Sequence, residues 1–500
     1  KMFHMRTVVF RVARSSYLRG SLRVQSYYGR SQPSRYSDDD RYDQPRYRRE
    51  NTSYGRPREY RNEEEVDLEE LESLEGIARE REVITNVYKE SLTTSVRTQE
   101  EIQAFMDEHR VTVEGSPPKP ILTIAEAEVF PKPIKDQFAQ AKITTPTAIQ
   151  SMCWPMAMSG SDMIGIAQTG SGKTLGYLLP AALHIGAQPQ TDLKGPTALV
   201  LAPTRELVQQ ISTVAQRWLT YTLGIKNVSV YGGASKLVQV TDLKRGAQRC
   251  VATPGRLNDI LNSRVASLAN SSLLVLDEAD RMLDMGFEPQ IREIIDRMRK
   301  DRQTVMFSAT WPKDVRQLAA DFMRGDTLRV NIGSTELCAN SDIRQEIRFV
   351  EESQKRPMLL EIVKSRPGDK ILIFAGTKRT VSMICNELVR FGVRCVESHG
   401  DLSQAKRERA LENFQGRSNV MVATDVAARG LDVRNINLVI NFDFPQTVED
   451  YVHRIGRTGR SGCKGEAITF FTRVSVLTRI WEPTSRTSSH SRESGRLITA

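Results

Sequence analysis

The chain has 500 residues, 39% of them hydrophobic, so it can bury more than one core and is expected to form two or three domains. Its six cysteines show no CxxC pair or regular spacing, which argues against a disulfide framework or a zinc site and fits a reducing compartment rather than secretion. No apolar run approaches the length needed to cross a bilayer, so no membrane association is expected.

The formal net charge of +10 is concentrated at the start of the chain. Residues 1–37 hold eight Lys or Arg and no Asp or Glu, which leaves about +2 for the remainder (10 minus 8). A high isoelectric point is therefore no evidence that the body of the chain binds nucleic acid. Any such inference has to come from motifs.

Residues 1–118 are interpreted as a largely disordered N-terminal extension. Residues 2–35 have the acid-free, Arg- and Ser-rich composition of a mitochondrial transit peptide, but a disordered basic arm explains them equally well. The compartment therefore stays open between the mitochondrion and the nucleus or cytoplasm. Residues 38–62 form an Arg/Tyr-rich tract, interpreted as a solvated linker or, alternatively, as an auxiliary RNA tether.

Beyond Pro118, short apolar segments alternate with helical patterns, as in Thr197–Leu201 and Leu273–Leu276, and the alternation restarts after residue 343. Fully apolar strands alternating with helices are typical of parallel sheets covered on both faces. The sequence thus predicts an α/β domain over 119–335, a linker at 336–342, a second α/β domain over 343–475 and a disordered tail at 476–500.

A glycine-rich loop follows the apolar residues 163–166 and precedes a helical pattern that starts at Leu175. In that context, backbone N–H groups and the helix N-terminus point at the phosphates of a nucleotide. Lys173 is expected to neutralise phosphate oxygens and Thr174 to bind Mg²⁺. The loop residues assigned to nucleotide binding are Gln168, Thr169, Gly170, Ser171, Gly172, Lys173 and Thr174.

Four residues with three carboxylates, Asp277-Glu278-Ala279-Asp280, come directly after the apolar strand 273–276. The carboxyl ends of parallel strands form the ligand-binding edge of an open sheet, so these side chains are expected to face the same nucleotide. Asp277 is assigned to Mg²⁺, and Glu278 is assigned to orient or deprotonate the attacking water.

With these motifs, the chain resembles the DEAD-box family of superfamily 2 RNA helicases, whose name is spelled by residues 277–280. The resemblance covers nearly all of residues 119–472 and keeps the family's motif order. It extends through 146–150, 203–207, 232–233, 253–256 and 308–310 to Gln404 with Arg407, 423–425, 429–432 and 453–460. It implies two tandem RecA-like domains, ATP with Mg²⁺, and RNA as the binding partner, with accessory proteins unidentified and a monomeric chain.

The resemblance also implies roles for individual residues on the ATP side. Gln150 is expected to recognise the edge of adenine, and Asp432 belongs to the nucleotide site. Arg457 and Arg460 are expected to act as arginine fingers from the second domain. Asp280, Ser308, Thr310 and His453 are expected to couple the nucleotide to the RNA side. The position at which the family carries a base-stacking aromatic ring is occupied by Ala125.

The RNA side implied by the resemblance is built from small residues and a few arginines, which suit contacts to phosphate and ribose rather than a base code. The residues assigned to it are Thr204, Arg205, Gly233, Thr253, Gly255 and Arg256 in the first domain and Gln404, Arg407 and Thr424 in the second. Sequence-independent binding and local, non-processive duplex opening or RNP remodelling are the expected consequences.

Two other functional interpretations compete with that of an RNA helicase. A catalytically weak RNA-binding or annealing scaffold is suggested by Ala125 and by the unusual tail after Thr472. A P-loop kinase or small GTPase would leave the second α/β domain, Arg457 and Arg460 unexplained.

Overall fold

A computed structural model describes residues 68–168, 170–189, 195–333, 342–428, 433, 435–459 and 464–472. The predictions for the transit-like segment, the Arg/Tyr-rich tract, most of the linker and the C-terminal tail concern residues outside these ranges. The described residues form two α/β domains in tandem, each built on its own sheet, as expected for the RecA-like fold.

The first sheet has eight strands in the order β1-β8-β2-β7-β6-β3-β5-β4. All neighbours are parallel except β1 and β8, which pair antiparallel at one edge. Its strands are β1 Val111–Glu114, β2 Met163–Ile166, β3 Ala198–Leu201, β4 Asn227–Val230, β5 Arg249–Ala252, β6 Leu273–Leu276, β7 Gln303–Ser308 and β8 Leu328–Ile332.

Helices cover both faces of this sheet, because its inner strands are buried on each side and alternate residues supply two separate apolar clusters. In chain order the first six are α1 Leu68–Glu80, α2 Leu92–Ser95, α3 Gln99–His109, α4 Lys132–Gln140, α5 Ala148–Met158 and α6 Lys173–Ala187. The others are α7 Arg205–Ala215, α8 Tyr221–Leu223, α9 Lys236–Lys244, α10 Pro254–Asn262, α11 Ala279–Asp284, α12 Glu288–Asp296 and α13 Lys313–Phe322.

The second sheet has six parallel strands in the order β11-β12-β10-β13-β14-β9. Its strands are β9 Ile343–Phe349, β10 Ile371–Phe374, β11 Cys395–Ser398, β12 Val420–Ala423, β13 Leu438–Asn441 and β14 Gly465–Phe471. Its helices are α14 Glu352–Lys364, α15 Lys378–Arg390, α16 Gln404–Gln415, α17 Asp425–Ala428 and α18 Val448–Ile455.

Residues 68–118, assigned above to the largely disordered extension, are folded against the first domain. The Arg299 guanidinium, whose side chain is almost fully buried, donates to the carbonyl oxygens of Ala78 and Arg81 at the end of α1. Thr98 and Glu101 form a capping box at the start of α3. The strand β1 then satisfies the free edge of β8. These contacts are long-range, which is why composition alone did not reveal them.

Helix α5 contains Pro155, which has no N–H to donate to the carbonyl of Ser151 one turn earlier. That carbonyl instead accepts a hydrogen bond from Ile121 N at 3.0 Å, so the proline creates an anchor for the preceding segment. The segment before α5 is thereby tied to the helix that carries Gln150.

Trp154 anchors the packing of α5 against α6. Its side chain is fully buried, its Nε1 donates to Leu175 O at 3.0 Å, and the rings of Phe130 and Phe138 lie edge-on to it. An indole in such a position contributes both buried area and a hydrogen bond.

Replacing Trp154 with Phe is expected to lower the free energy of unfolding by roughly 2 kcal/mol, because it leaves a cavity and removes the indole hydrogen bond. Trp311→Phe is the matched control, since the Trp311 Nε1 has no hydrogen-bond partner among the described residues. Chemical denaturation of both variants checks this, and an equal loss in the two would contradict the role given to Trp154.

Candidate active site

The glycine-rich loop connects β2 to α6, as predicted. Gly170 and Gly172 adopt φ angles of 82° and 99°, in the left-handed region that other residues rarely enter. A Cβ on Gly172 would lie 2.7 Å from Gln150 Nε2, so a side chain there would displace the Gln150 amide from the loop. The start of the fifteen-residue helix α6 therefore supplies free backbone N–H groups next to a compact loop.

Lys173 is buried at the first position of α6, and its Nζ donates to Ala167 O at 2.8 Å. The side chain thus folds back over the loop rather than extending into solvent. Gln150 reaches the same loop from α5, donating from Nε2 to Gly172 O at 3.0 Å. Helix α5 and the loop are therefore held together directly.

The carboxylates predicted after β6 lie beside this loop. Asp277 is 3% exposed and accepts a hydrogen bond from Tyr177 Oη at 2.8 Å through Oδ2 and from Glu278 N at 3.0 Å through Oδ1. Burial raises the pKa of Asp277 to about 6, although Lys173 opposes the shift. Glu278 is buried and has a φ of 53°, a strained conformation for a residue with a side chain.

Asp280, the second residue of α11, connects the acids to the segment that follows β7. Its Oδ2 accepts from Thr310 N at 2.9 Å and from Thr310 Oγ1 at 2.8 Å. Burial alone would raise the pKa of Asp280, but its neighbours, among them Thr310, Lys173 and Arg281, outweigh it and lower the pKa. Ser308 was expected in the same relay, yet its buried Oγ makes no hydrogen bond among the described residues.

The second domain meets this edge of the first through α18. His453 Nε2 lies 3.7 Å from Asp280 Oδ2, and Arg281 Nη2 donates to Asp450 Oδ1 at 2.8 Å. Burial lowers the pKa of His453 to about 3, so its imidazole is neutral at physiological pH. Arg457 is 5% exposed just beyond α18 and close enough to His453 to lower that pKa further.

The residues assigned to RNA also come together across the two domains. Arg205 Nη1 donates to Gln404 Oε1 at 3.3 Å, and Arg407 Nη1 donates to Glu206 Oε1 at 3.1 Å. Gly233 lies against Arg205, because a Cβ there would clash with that guanidinium. Both arginines thus sit at the junction of α7 and α16.

The remaining residues of this set flank the junction. Thr204 and Thr253 are the N-cap residues of α7 and α10, and Gly255 is in the first turn of α10. Arg256 Nη1 donates to Ala234 O at 3.0 Å. In the second domain, Thr424 N donates to Ser398 O at 3.2 Å.

The DEAD/DEAH box helicase family matches residues 147–318, and the helicase conserved C-terminal domain matches residues 354–462. ATP-dependent RNA helicase DBP2 of Pyricularia oryzae is 52% identical over 393 residues, covering 77% of this chain and 71% of that protein. ATP-dependent RNA helicase p62 of Drosophila melanogaster is 50% identical, covering 78% of this chain and 54% of its own length. This chain is a DEAD-box helicase.

Solved structures of helicases have the same fold. The DEAD-box helicase Mss116 bound to ssRNA and UDP-BeF is similar with a TM-score of 0.66 and 27% identity, over 71% of this chain and 76% of that chain. Dbp5 of S. cerevisiae bound to RNA and ADP BeF3 is similar with a TM-score of 0.61 and 29% identity, over 72% of this chain and 91% of that chain. The predicted family and fold class are confirmed.

Several site residues of the helicase were not foreseen. Tyr177 lies one turn after Lys173 on α6, and that spacing is the only sequence signal that would have placed it at the acids. Glu206 and Asp450 contact arginines of the opposite domain. No sequence pattern predicts these contacts. Three assigned residues, Thr169, Asp432 and Arg460, lie outside the described residues.

Within the part of the helicase that the structure describes, no helix is long and apolar enough to span a bilayer, and no group of three or more His, Cys, Asp or Glu side chains is arranged to hold a metal ion. A magnesium ion bound with a nucleotide takes one or two carboxylates plus phosphate oxygens. Asp277, with the Thr174 hydroxyl near Tyr177, offers such an oxygen donor set.

In EDTA and without nucleotide, Asp277→Asn is expected to unfold at a higher temperature than the natural chain at pH 8. The pKa of Asp277 is raised to about 6, so its stabilising contribution is present at low pH and lost as the pH rises through about 6. The increase in the free energy of unfolding of Asp277→Asn over the natural chain should reach about 3 kcal/mol at most and vanish below about pH 4.

Thermal unfolding at several pH values checks this expectation. Asp326→Asn serves as the control, because Asp326 is exposed. A stability difference for Asp277→Asn that persists unchanged at pH 4 would show that its origin is not ionisation.

Proposed function

We propose that this helicase hydrolyses ATP in an RNA-stimulated reaction and uses the cycle to open short duplexes locally or to remodel RNA–protein assemblies. The observation that carries the proposal is the meeting of Asp280 and Arg281 with His453 and Asp450 across the two domains. The phosphate loop and acids come from one domain, and the helix bearing His453 leads to Arg457 in the other. The complete site therefore requires both domains.

The chemistry assigned to the first domain is phosphate binding and activation of water. Lys173 exchanges its contact with Ala167 O for phosphate oxygens, and the α6 N-terminus donates its N–H groups. Glu278 orients the attacking water from its strained position beside Asp277. Asp277 and Thr174 would hold Mg²⁺, which would supply neutralisation of the phosphate charge.

The second domain stabilises the charge that develops on the transferred phosphoryl group. Arg457 carries this role together with Arg460. A neutral His453 next to Asp280 transmits the position of α18 to the acids without adding a charge that would compete with the arginines. Asp432 completes the nucleotide contacts of this domain.

Adenine recognition is assigned to Gln150. Its amide both donates and accepts, which matches the edge of adenine, and it already contacts the loop through Gly172 O. In this proposal the Gln150 side chain contacts both the adenine base and the phosphate loop.

RNA is assigned to the junction of α7 and α16. Arg205 and Arg407 supply cations, while Gly233 and Gly255 leave backbone accessible and Arg256 extends the surface along α10. Such groups read phosphates and riboses without a base code. Both parts of the site lie in one chain, so we propose a monomer, with accessory proteins recruiting it to its RNA.

Glu278→Gln is expected to lower RNA-stimulated phosphate release at least about 100-fold, because an amide cannot accept a proton from water, while ATP and RNA binding are kept. Phosphate release with and without RNA is the measurement. Glu288→Gln is the matched control, since the Glu288 side chain is 47% exposed and paired with Arg292. A natural chain that binds RNA without hydrolysing ATP would favour the scaffold alternative.

Arg256→Met is expected to weaken single-stranded RNA binding by a similar factor for all sequences and to reduce the slope of log affinity against log salt by about 0.7, the loss of one phosphate contact. Fluorescence anisotropy with two unrelated oligonucleotides over a salt series tests this. Arg245→Met, at an exposed position on the same domain, should leave the slope unchanged.

A further inference from the structure

A buried ion pair joins the folded part of the N-terminal extension to the segment that precedes α5. Arg97 Nη2 lies 2.9 Å from Glu126 Oε1, and the two side chains are 8% and 5% exposed. Arg97 Nη1 also donates to Pro120 O at 2.7 Å. Separating the two side chains would leave a buried charge without a partner, which costs free energy. Such a pair therefore strongly constrains the two segments that it joins.

Glu126 uses both carboxylate oxygens to shape its own turn. Oε2 accepts from Leu122 N at 2.9 Å, and Oε1 accepts from Thr123 Oγ1 at 3.0 Å. The turn Ile124–Glu126 is thus held by one carboxylate, which in turn is held by Arg97. The conformation of residues 121–126 depends on that charge.

Residues 121–124 donate hydrogen bonds to the chain on both sides of Gln150. Ile124 N donates to Thr144 O at 2.9 Å, before α5, and Ile121 N donates to the Ser151 carbonyl that Pro155 leaves free. Gln150 lies between these two anchors and donates to Gly172 O in the phosphate loop. A continuous set of contacts therefore runs from Arg97 to the loop.

We propose that Arg97 and Glu126 are positioning residues for ATP binding, through which the N-terminal extension sets the placement of Gln150 against the phosphate loop. The inference deepens the proposed function and rests on it for the identity of the nucleotide. A displaced Gln150 loses its contact with Gly172 and its alignment with the base, so ATP affinity and preference for adenine fall together.

The test is equilibrium binding of a fluorescent ATP analogue with Mg²⁺ to the full chain, with the GTP analogue as comparison. Glu126→Gln is expected to weaken ATP binding about fivefold and to reduce the ATP-to-GTP preference, while RNA affinity stays unchanged. In a Gln150→Ala background, Glu126→Gln should have no further effect, because both changes act through the same amide.

Asp136→Asn is the matched acid-to-amide control, since the Asp136 side chain is 52% exposed and paired with Lys132 on the surface of α4. Arg97→Lys, which keeps the charge but loses the fork of donors, replaces Glu126→Gln if the latter does not fold by circular dichroism. An unchanged ATP affinity, or effects of Glu126→Gln and Gln150→Ala that simply add, would overturn the proposal. Binding does not require hydrolysis, so absence of RNA-stimulated turnover would count against the proposed function alone.

Discussion

The two domains of this helicase contact each other through polar side chains, and the association of the domains depends on these contacts. Among the described residues, the contacts between the sheets include Arg281 with Asp450, Arg407 with Glu206 and Asp280 with His453. Each apolar cluster lies within one domain. Polar contacts exchange readily for water, so their net contribution to the association of the two domains is small.

The acidic residues of the proposed nucleotide site are buried within the first domain. Asp277 has lost solvation because it is buried, which raises its pKa, and Glu278 keeps a backbone conformation that costs free energy. Both costs are carried by the first domain alone, whose two apolar clusters fix the sheet edge. The first domain can therefore keep its part of the proposed site in place whether or not the second domain is in contact with it.

Local sequence patterns predicted the parts of the fold that local physics determines. The strand–loop–helix order around Gly170 and the apolar strand before Asp277 follow from periodicity and glycine placement. The contact of Tyr177 with Asp277 depends instead on α6 crossing near the carboxyl end of β6, a hundred residues later. The folding of residues 68–118 depends on an unpaired edge at β8, which no segment of the extension encodes by itself.

The RNA junction carries a further consequence of the polar interface. Arg407 is paired with Glu206, whose pKa is raised because burial leaves the carboxylate poorly solvated. An RNA phosphate at Arg205 and Arg407 would bring a second anion to the same point and gain most when α7 and α16 are adjacent. In the proposed function ATP favours the same adjacency through α18, and each ligand would then raise the affinity of the other by an equal factor. In that proposal, the coupling requires only the interface that both ligands share and no separate pathway of contacts between the two sites.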